Sequence, residues 1–413
     1  MLGKAVATSL ALASLASATK QCVVQTVPVD IEARNAVFDN STTPHSNIDA
    51  TWFVQNMTRQ GHNFTNEVVQ GFSTVKGTYQ ISTQLCWDDK TTADNATLQV
   101  LTHGIGFDKT YWDLSFENYN YSYVDAALAA GFATFSYDRL GIGASDHGDP
   151  LNEIQTNLEI AALRALTDKL RNGALPGVDA AYDTIVHVGH SYGSVQSFVF
   201  AHRYPNETQG IVLTGFSTNS SFMGFFAAGA NFEEANLNEP LRFLDLPDGY
   251  LVSADASSNQ YNVNRLHALR PSQPVQEHRE EGINADYELS AKQFLLPPYF
   301  DPEILAFSEY SKQPVTVGEL LTIGSAISGP SVFTGPVLVF TGDADVPFCG
   351  GDCLETGGAA PSIPAQTSVL FPNASVFEAY IQPNTGHGLT AHYNATAGYQ
   401  VIQNWLDDHV AAQ

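Results

Sequence analysis

The length, composition and charge of the chain limit the classes of protein to which it can belong. Its 413 residues, 44% of them hydrophobic and 15% charged, suffice for one large buried core with or without a lid, which argues against disorder. The formal net charge of −25 disfavours nucleic acid and anionic membranes as partners, because both require clustered lysine and arginine.

The first residues are typical of a signal peptide. Lys4 provides a positive start, residues 5–15 form a short apolar run, and Ala16-Ser17-Ala18 offers the small residues of a cleavage site after Ala18. A membrane anchor needs about 20 apolar residues, and the sequence has no run of that length. We therefore expect a mature protein that is secreted, soluble and not stably inserted in a membrane.

Asn-x-Ser/Thr sequons support the same destination, because they are acceptors for N-glycosylation in a secretory pathway. Their density is higher than chance matches readily explain. The predicted glycosylation sites are Asn40, Asn56, Asn63, Asn95, Asn120, Asn206, Asn219, Asn373 and Asn394.

Four cysteines lie in the predicted mature chain, and an oxidising compartment allows them two disulfides in three possible connectivities. We favour Cys22 with Cys86, which would tie the N-terminus to a strand, and Cys349 with Cys353, since the glycines between them permit a tight loop. A zinc site at the second pair lacks partners of suitable spacing. We predict no metal and no cofactor.

Residues 19–96 predict antiparallel strands that open a sheet. Apolar and alternating patterns at 23–31 and 79–85 indicate strands, with a short helix at 49–59 between them. We interpret this region as an N-terminal extension that joins the core sheet.

From residue 97 onward, strands and helices alternate. This pattern is typical of a doubly wound, mostly parallel sheet of the α/β class. The predicted strands are 98–101, 133–137, 184–188, 211–214, 337–340 and 375–379, and the predicted helices are 123–130, 153–171, 194–202 and 397–410.

The alternation places the core at residues 97–215 and 335–413. Residues 216–334 interrupt the alternation of strands and helices with a segment rich in Phe, Ala and Asn. We expect an inserted, largely helical cap over the strand ends, where α/β sheets bind ligands.

A pentapeptide of the form Gly-x-Ser-x-Gly follows the strand at 184–188 and precedes a helix. In Gly189-His190-Ser191-Tyr192-Gly193 the small residues permit a sharp turn, and such a turn lifts the serine hydroxyl out above the sheet. The start of the helix adds a positive dipole where an oxyanion would form. The setting predicts that Ser191 is a nucleophile.

Serine attacks only when a histidine accepts its proton and a carboxylate orients that histidine. In a sheet of this class these partners follow in the order Ser, Asp or Glu, His, each after a late strand. The strand at 337–340 ends in Thr341-Gly342-Asp343-Ala344-Asp345, and Gly386-His387-Gly388 precedes the last helix. Asp345 or Asp343, with His387, could therefore complete a triad.

These motifs resemble the α/β-hydrolase superfamily over most of residues 97–409, excluding much of the cap. The resemblance implies that the acid ends a Gly-x-x-Asp turn, which favours Asp345, with Asp343 as the alternative and more often a turn residue. The Gly-His-Gly context implies His387 as the base. We expect His392 and His409 to be surface or helix residues.

The resemblance also extends to the loop Leu101-Thr102-His103-Gly104-Ile105-Gly106-Phe107, which is similar to the family's His-Gly loop. It implies an oxyanion hole formed by the backbone N–H groups of Tyr192 and Ile105, with Gly104 as the alternative to Ile105, and a structural role for His103. The turn Asp138-Arg139-Leu140-Gly141 resembles another family motif, to which we assign loop pinning and no chemistry.

A serine at the turn argues against epoxide hydrolases and haloalkane dehalogenases, which attack with aspartate. The loop at His103 departs from the His-Gly-Gly-Pro-Gly type of proline-specific peptidases. The resemblance therefore implies a serine hydrolase acting on a small-molecule carboxylic ester. The rings of Phe222, Phe225 and Phe226 favour an apolar or aromatic ester, and the core of the cap explains them at least as well. An amide, lactone or thioester hydrolase, a serine-dependent lyase and a non-catalytic binding protein remain alternatives.

Overall fold

The computed structural model of the protein describes residues 20–88, 96–260, 295–325, 327 and 329–411. The predicted signal peptide, residues 1–18, and the sequon at Asn95 lie outside the described residues.

Two long antiparallel strands open the fold. Strands β1 (Lys20–Phe38) and β2 (Val69–Asp88) pair along nearly their whole length, so both are much longer than the sequence patterns predicted. The two helices between them are α1 (Asn47–Thr58) and α2 (Phe64–Val68). The Ser46 side chain accepts a hydrogen bond from the backbone of Asp49 and so fixes the start of α1.

The remaining strands of the main sheet match the predicted ones closely. They are β3 (Leu98–Thr102), β4 (Ala133–Tyr137), β5 (Ile185–His190), β6 (Gly210–Thr214), β10 (Val337–Gly342) and β11 (Phe377–Gln382). The order across the sheet is β1-β2-β4-β3-β5-β6-β10-β11, and all pairings from β4 to β11 are parallel. This topology confirms the predicted α/β class.

Strands β3, β4, β5, β6 and β10 are buried along their whole length, which explains their mostly apolar sequences. Alternate residues of β10 point to opposite sides: Val337 and Val339 pack with helix α5 (Tyr192–Arg203), and Leu338 and Phe340 pack with helix α13 (Ala395–Leu406). The flanking helices are α3 (Tyr123–Ala129), α4 (Thr156–Arg171), α5 (Tyr192–Arg203) and α13 (Ala395–Leu406).

The segment between β6 and β10 contains short helices, as expected, and also a small antiparallel sheet that the sequence analysis did not predict. Its strands are β7 (Glu233–Glu234), β8 (Tyr250–Val252) and β9 (Val315–Thr316), in the order β7-β8-β9. Its helices are α6 (Met223–Ala230), α7 (Ala235–Asn238), α8 (Pro240–Phe243), α9 (Ala256–Gln260), α10 (Pro302–Ser311) and α11 (Val317–Thr322). A short helix α12 (Val346–Cys349) follows β10.

Both cysteine pairs that the sequence analysis favours form disulfides in the structure. Cys22 and Cys86 face each other across the β1–β2 ladder, and Cys349 is joined to Cys353 after β10. Within the described ranges, no helix is both long and apolar enough to span a bilayer.

Candidate active site

Ser191 occupies the turn between β5 and α5. Its backbone has φ 55° and ψ −116°, a conformation that a non-glycine residue rarely adopts. A Cβ atom on Gly189 would lie 2.3 Å from the Gly193 carbonyl oxygen, and one on Gly193 would lie 2.0 Å from the Thr102 carbonyl oxygen. Only glycine fits either position, so the two glycines of the motif allow the chain to turn sharply enough to present the serine.

Asp345 and His387 form a buried, hydrogen-bonded pair. Asp345 Oδ2 lies 2.6 Å from His387 Nδ1, and the side chains are 0% and 1% exposed. The other carboxylate oxygen accepts a hydrogen bond from the Phe348 N–H at the start of α12, at 2.9 Å. Because an ionised carboxylate only accepts, His387 donates through Nδ1 and carries its lone pair on Nε2, the arrangement that a general base needs.

The sheet order brings these residues to one edge. Ser191, Asp345 and His387 follow β5, β10 and β11, whose carboxyl ends share that edge of the parallel sheet. The ring of His190, next to Ser191, lies 4.9 Å from the His387 ring, centre to centre. Gly215, after β6, approaches so closely that a Cβ there would lie 3.0 Å from His387 Cε1.

Asp343, the alternative acid, holds a loop instead of the histidine ring. Its carboxylate accepts hydrogen bonds from the backbone N–H groups of Asn384 and Thr385, both at 2.9 Å. It therefore fixes the chain that leads into His387. This placement is the turn role that the sequence analysis gave it.

His392 is neither a surface residue nor a helix residue, so that expectation was wrong. Its side chain is fully buried; Nδ1 donates to the Gly388 carbonyl at 2.9 Å, and Nε2 accepts from the Gly386 N–H at 3.0 Å. Burial lowers the pKa of His392 to about 4, so the ring is neutral and can accept. His392 thus forms hydrogen bonds with both neighbours of His387, Gly386 and Gly388. No local sequence pattern indicates this role. His409 lies in the C-terminal π-helix Asp407–Ala411, which agrees with the expectation for it.

The two predicted oxyanion donors lie on segments beside Ser191. Tyr192 is the first residue of α5, where a backbone N–H has no carbonyl of its own helix to bind. A Cβ on Gly104 would lie 2.9 Å from Ser191 Cβ, so the loop that continues to Ile105 passes against the serine. His103 is buried, and burial holds its pKa well below the ordinary value. It donates to the Gly104 carbonyl and accepts from the Arg139 N–H, as a structural residue would.

Two cavities border this region, and Ile105 lines both of them. The larger, of about 500 Å³, is lined mostly by apolar side chains, among them Ile105, Val195, Phe216 and Phe348. Phe348 packs against His387 with ring centres 5.7 Å apart. The smaller, of about 50 Å³, is bounded by Ile105, Tyr111 and Gly388 among others.

The sequons differ in accessibility. Asn40, Asn63, Asn120, Asn206 and Asn373 are exposed, and Asn56, Asn219 and Asn394 are half-buried. The Asn394 amide donates to the Pro383 carbonyl at 2.7 Å, so the nitrogen to which a glycan would be attached already holds the loop that leads to His387. In the described part of the chain no group of three or more His, Cys, Asp or Glu side chains is placed to hold a metal ion.

A serine on a strained strand-to-helix turn and a carboxylate–histidine pair at the carboxyl edge of a mostly parallel sheet define a hydrolase architecture. The sequence profile of the Alpha/beta hydrolase family matches residues 99–398, and the chain belongs to that family.

Several solved structures are similar to this chain. An esterase from Thermogutta terrifontis is 15% identical, covering 80% of this chain and 94% of that chain, with a TM-score of 0.46. A monoacylglycerol lipase from Paleococcus ferrophilus is 14% identical, covering 76% and 97%, with a TM-score of 0.45. Epoxide hydrolase A from Mycobacterium thermoresistibile is 14% identical, covering 80% and 96%, with a TM-score of 0.48. A search of the curated proteins found no matching sequence.

Proposed function

We propose that the protein is a secreted serine hydrolase that cleaves carboxylic esters through an acyl-enzyme on Ser191. The observation that carries the proposal is the buried Asp345–His387 pair, with a distance of 2.6 Å between Oδ2 and Nδ1, at the sheet edge where the strained turn presents Ser191. A carboxylate that holds a histidine in one tautomer beside such a serine is the arrangement that activates a hydroxyl for acyl transfer.

In the proposed mechanism, Ser191 Oγ attacks the ester carbonyl carbon while His387 Nε2 takes the hydroxyl proton. The backbone N–H groups of Tyr192 and Ile105 stabilise the oxyanion of the tetrahedral intermediate. The intermediate collapses, the bond to the alcohol oxygen breaks, and His387 gives the proton to the leaving alcohol. Water then attacks the acyl-enzyme by the same route and releases the acid. No metal or cofactor takes part.

The larger cavity supports a substrate with a sizeable apolar portion. Its volume of about 500 Å³ falls in the range of small-molecule sites. Among the described residues that line it none is charged, and Phe226 contributes an aromatic wall. We propose that the ester carries an apolar or aromatic portion in the larger cavity.

The two disulfides and the exposed sequons support the secretion that we propose. Disulfides persist in oxidising compartments, and exposed asparagines are accessible to a glycosyltransferase. Expression in a eukaryotic secretory host, followed by enzymatic removal of N-glycans, should yield a mobility shift. A protein that stays in the cell without a shift would contradict this part of the proposal.

The proposal is tested by hydrolysis of a series of aryl esters from acetate to palmitate, with Ser191→Ala as the control. We expect ester hydrolysis that rises with acyl length up to an optimum and is lost in the variant. Preference for amides or lactones would assign the triad to that chemistry instead. A folded wild type that binds these compounds and turns none over would indicate a binding protein.

A further inference from the structure

The buried residue Arg139 contacts both segments that carry the predicted oxyanion donors. Its backbone N–H donates to His103 Nε2 at 3.1 Å, and its Nη2 donates to the Gly104 carbonyl at 3.4 Å. Its guanidinium carbon also lies 4.7 Å from the centre of the Tyr192 ring. Arg139 therefore connects the loop before Ile105 with the first residue of α5.

The Gly104 carbonyl is the other half of the peptide unit that contains the Ile105 N–H. Since a trans peptide is planar, its C=O and N–H point in opposite directions, and fixing one direction fixes the other. The carbonyl accepts from Arg139 and, at 2.9 Å, from His103 Nδ1. These two bonds fix the direction in which the Ile105 N–H points. Both donors belong to buried residues, His103 and Arg139.

Arg139 is itself held by two carboxylates from distant parts of the chain. Its Nη1 donates to Glu159 on α4 at 2.6 Å and to Glu319 on α11 of the inserted segment. All three side chains are at most 1% exposed. Glu319 also accepts the Thr316 N–H at 2.7 Å and so caps its own helix. Glu159 accepts the Tyr192 hydroxyl.

The second carboxylate is more than charge neutrality requires. One guanidinium compensates one carboxylate, and an additional buried carboxylate is costly. Burial, with repulsion from Glu319, raises the pKa of Glu159 against the opposing effect of Arg139. A single ion pair would neutralise Arg139 equally well. What the pair of carboxylates adds is orientation, because two acceptors on different helices fix the plane of the guanidinium.

We propose that Arg139 and Glu319 are positioning residues of the oxyanion hole: Glu319 anchors the guanidinium, and the guanidinium aims the Ile105 N–H. The inserted segment thereby contributes to transition-state stabilisation without contacting the reacting atoms. This inference rests on the proposed function, because it requires an oxyanion to form at Ser191.

The test compares Glu319→Gln with Glu303→Gln, which makes the same chemical change at an exposed position of the inserted segment. Glu319→Gln should lower kcat roughly tenfold, with KM within about twofold of wild type, since removing a whole oxyanion donor costs about 10²- to 10³-fold. A trifluoromethyl ketone, which forms a hemiketal oxyanion with the serine, should lose affinity by a similar factor. Glu303→Gln should match wild type in all three measurements.

A Glu319→Gln protein that is folded, with kcat and ketone affinity within about twofold of wild type, would overturn the inference, as would a change in KM alone. If that variant does not fold, Arg139→Lys decides, because lysine keeps the buried positive charge and loses the planar guanidinium that donates to Glu319 and to the Gly104 carbonyl. It should lower kcat by at least about threefold at constant KM, and an unchanged kcat would overturn the inference. A wild type that hydrolyses no ester and takes no fluorophosphonate would refute the proposed function, and the inference with it.

Discussion

Replacing Asp345 with asparagine should separate the catalytic acid from its neighbour. The carboxylate now accepts Nδ1–H of His387 at 2.6 Å and the Phe348 N–H at 2.9 Å. An asparagine whose carbonyl keeps the Phe348 bond turns its NH₂ group toward Nδ1, which must then accept. The ring proton moves to Nε2, the atom that should receive the serine proton. A tautomer error of this kind costs about 10⁴ in kcat, or about 5.5 kcal/mol.

The matched control is Asp343→Asn, two residues earlier on the same turn. Its carboxylate accepts the Asn384 and Thr385 N–H groups, and an asparagine can keep one of these bonds. We expect a loss of about 1–3 kcal/mol in the free energy of unfolding and less than about a tenfold loss of kcat. The assay is steady-state hydrolysis of an aryl ester together with urea unfolding. Equal losses of kcat in the two variants would refute the assignment of Asp345.

Three further predictions concern the buried His187, the disulfide between Cys22 and Cys86, and Gly215, which lies against His387. Burial lowers the pKa of His187 to about 3 against 6.5 in the unfolded chain, so its contribution to stability is lost as pH falls below 6.5. Between pH 7 and pH 5 the free energy of unfolding should therefore fall by about 2 kcal/mol less in His187→Gln than in wild type, as measured by urea unfolding. Equal decreases in the two proteins would contradict this. Replacing Cys22 and Cys86 with alanine opens a loop with a sequence separation of 64 and should cost about 4 kcal/mol of unfolding free energy, whereas an unchanged urea midpoint would contradict it. Gly215→Ala should lower kcat about 100-fold, because the added Cβ would lie 3.0 Å from His387 Cε1 at a backbone φ of +53°, and an unaffected kcat would show that the loop adjusts.

Most of the parallel strands were predictable because β3, β4, β5, β6 and β10 are buried along their whole length. An apolar run such as 133–137 has a clear beginning and end, and the structure places β4 at Ala133–Tyr137. The length of β2 was underestimated because residues 69–78 are mostly exposed and include Gly71 and Gly77. The length of β1 was underestimated because the polar residues Glu32, Arg34 and Asn35 interrupt its apolar pattern. The small sheet of the inserted segment was missed because strands of two or three residues leave no periodic signal.

The candidate site was predictable wherever local backbone geometry requires particular residues. The glycines around Ser191 and the turn before Asp345 are such places. The partners of Arg139 were not predictable, because Glu159 and Glu319 come from helices far apart in the chain, and only the fold brings them together. The hydrogen bonds of His392 with Gly386 and Gly388 were not predictable either, because they also depend on the tertiary fold.

The central claim is that Ser191 is an activated nucleophile. The most direct measurement is reaction of the folded protein with a fluorophosphonate, whose fluoride leaves as the serine oxygen bonds to phosphorus, followed by mass spectrometry of the modified peptide. We predict a single label on Ser191, and none on folded Ser191→Ala. An unlabelled wild type, or a label that persists in the variant, would contradict the account.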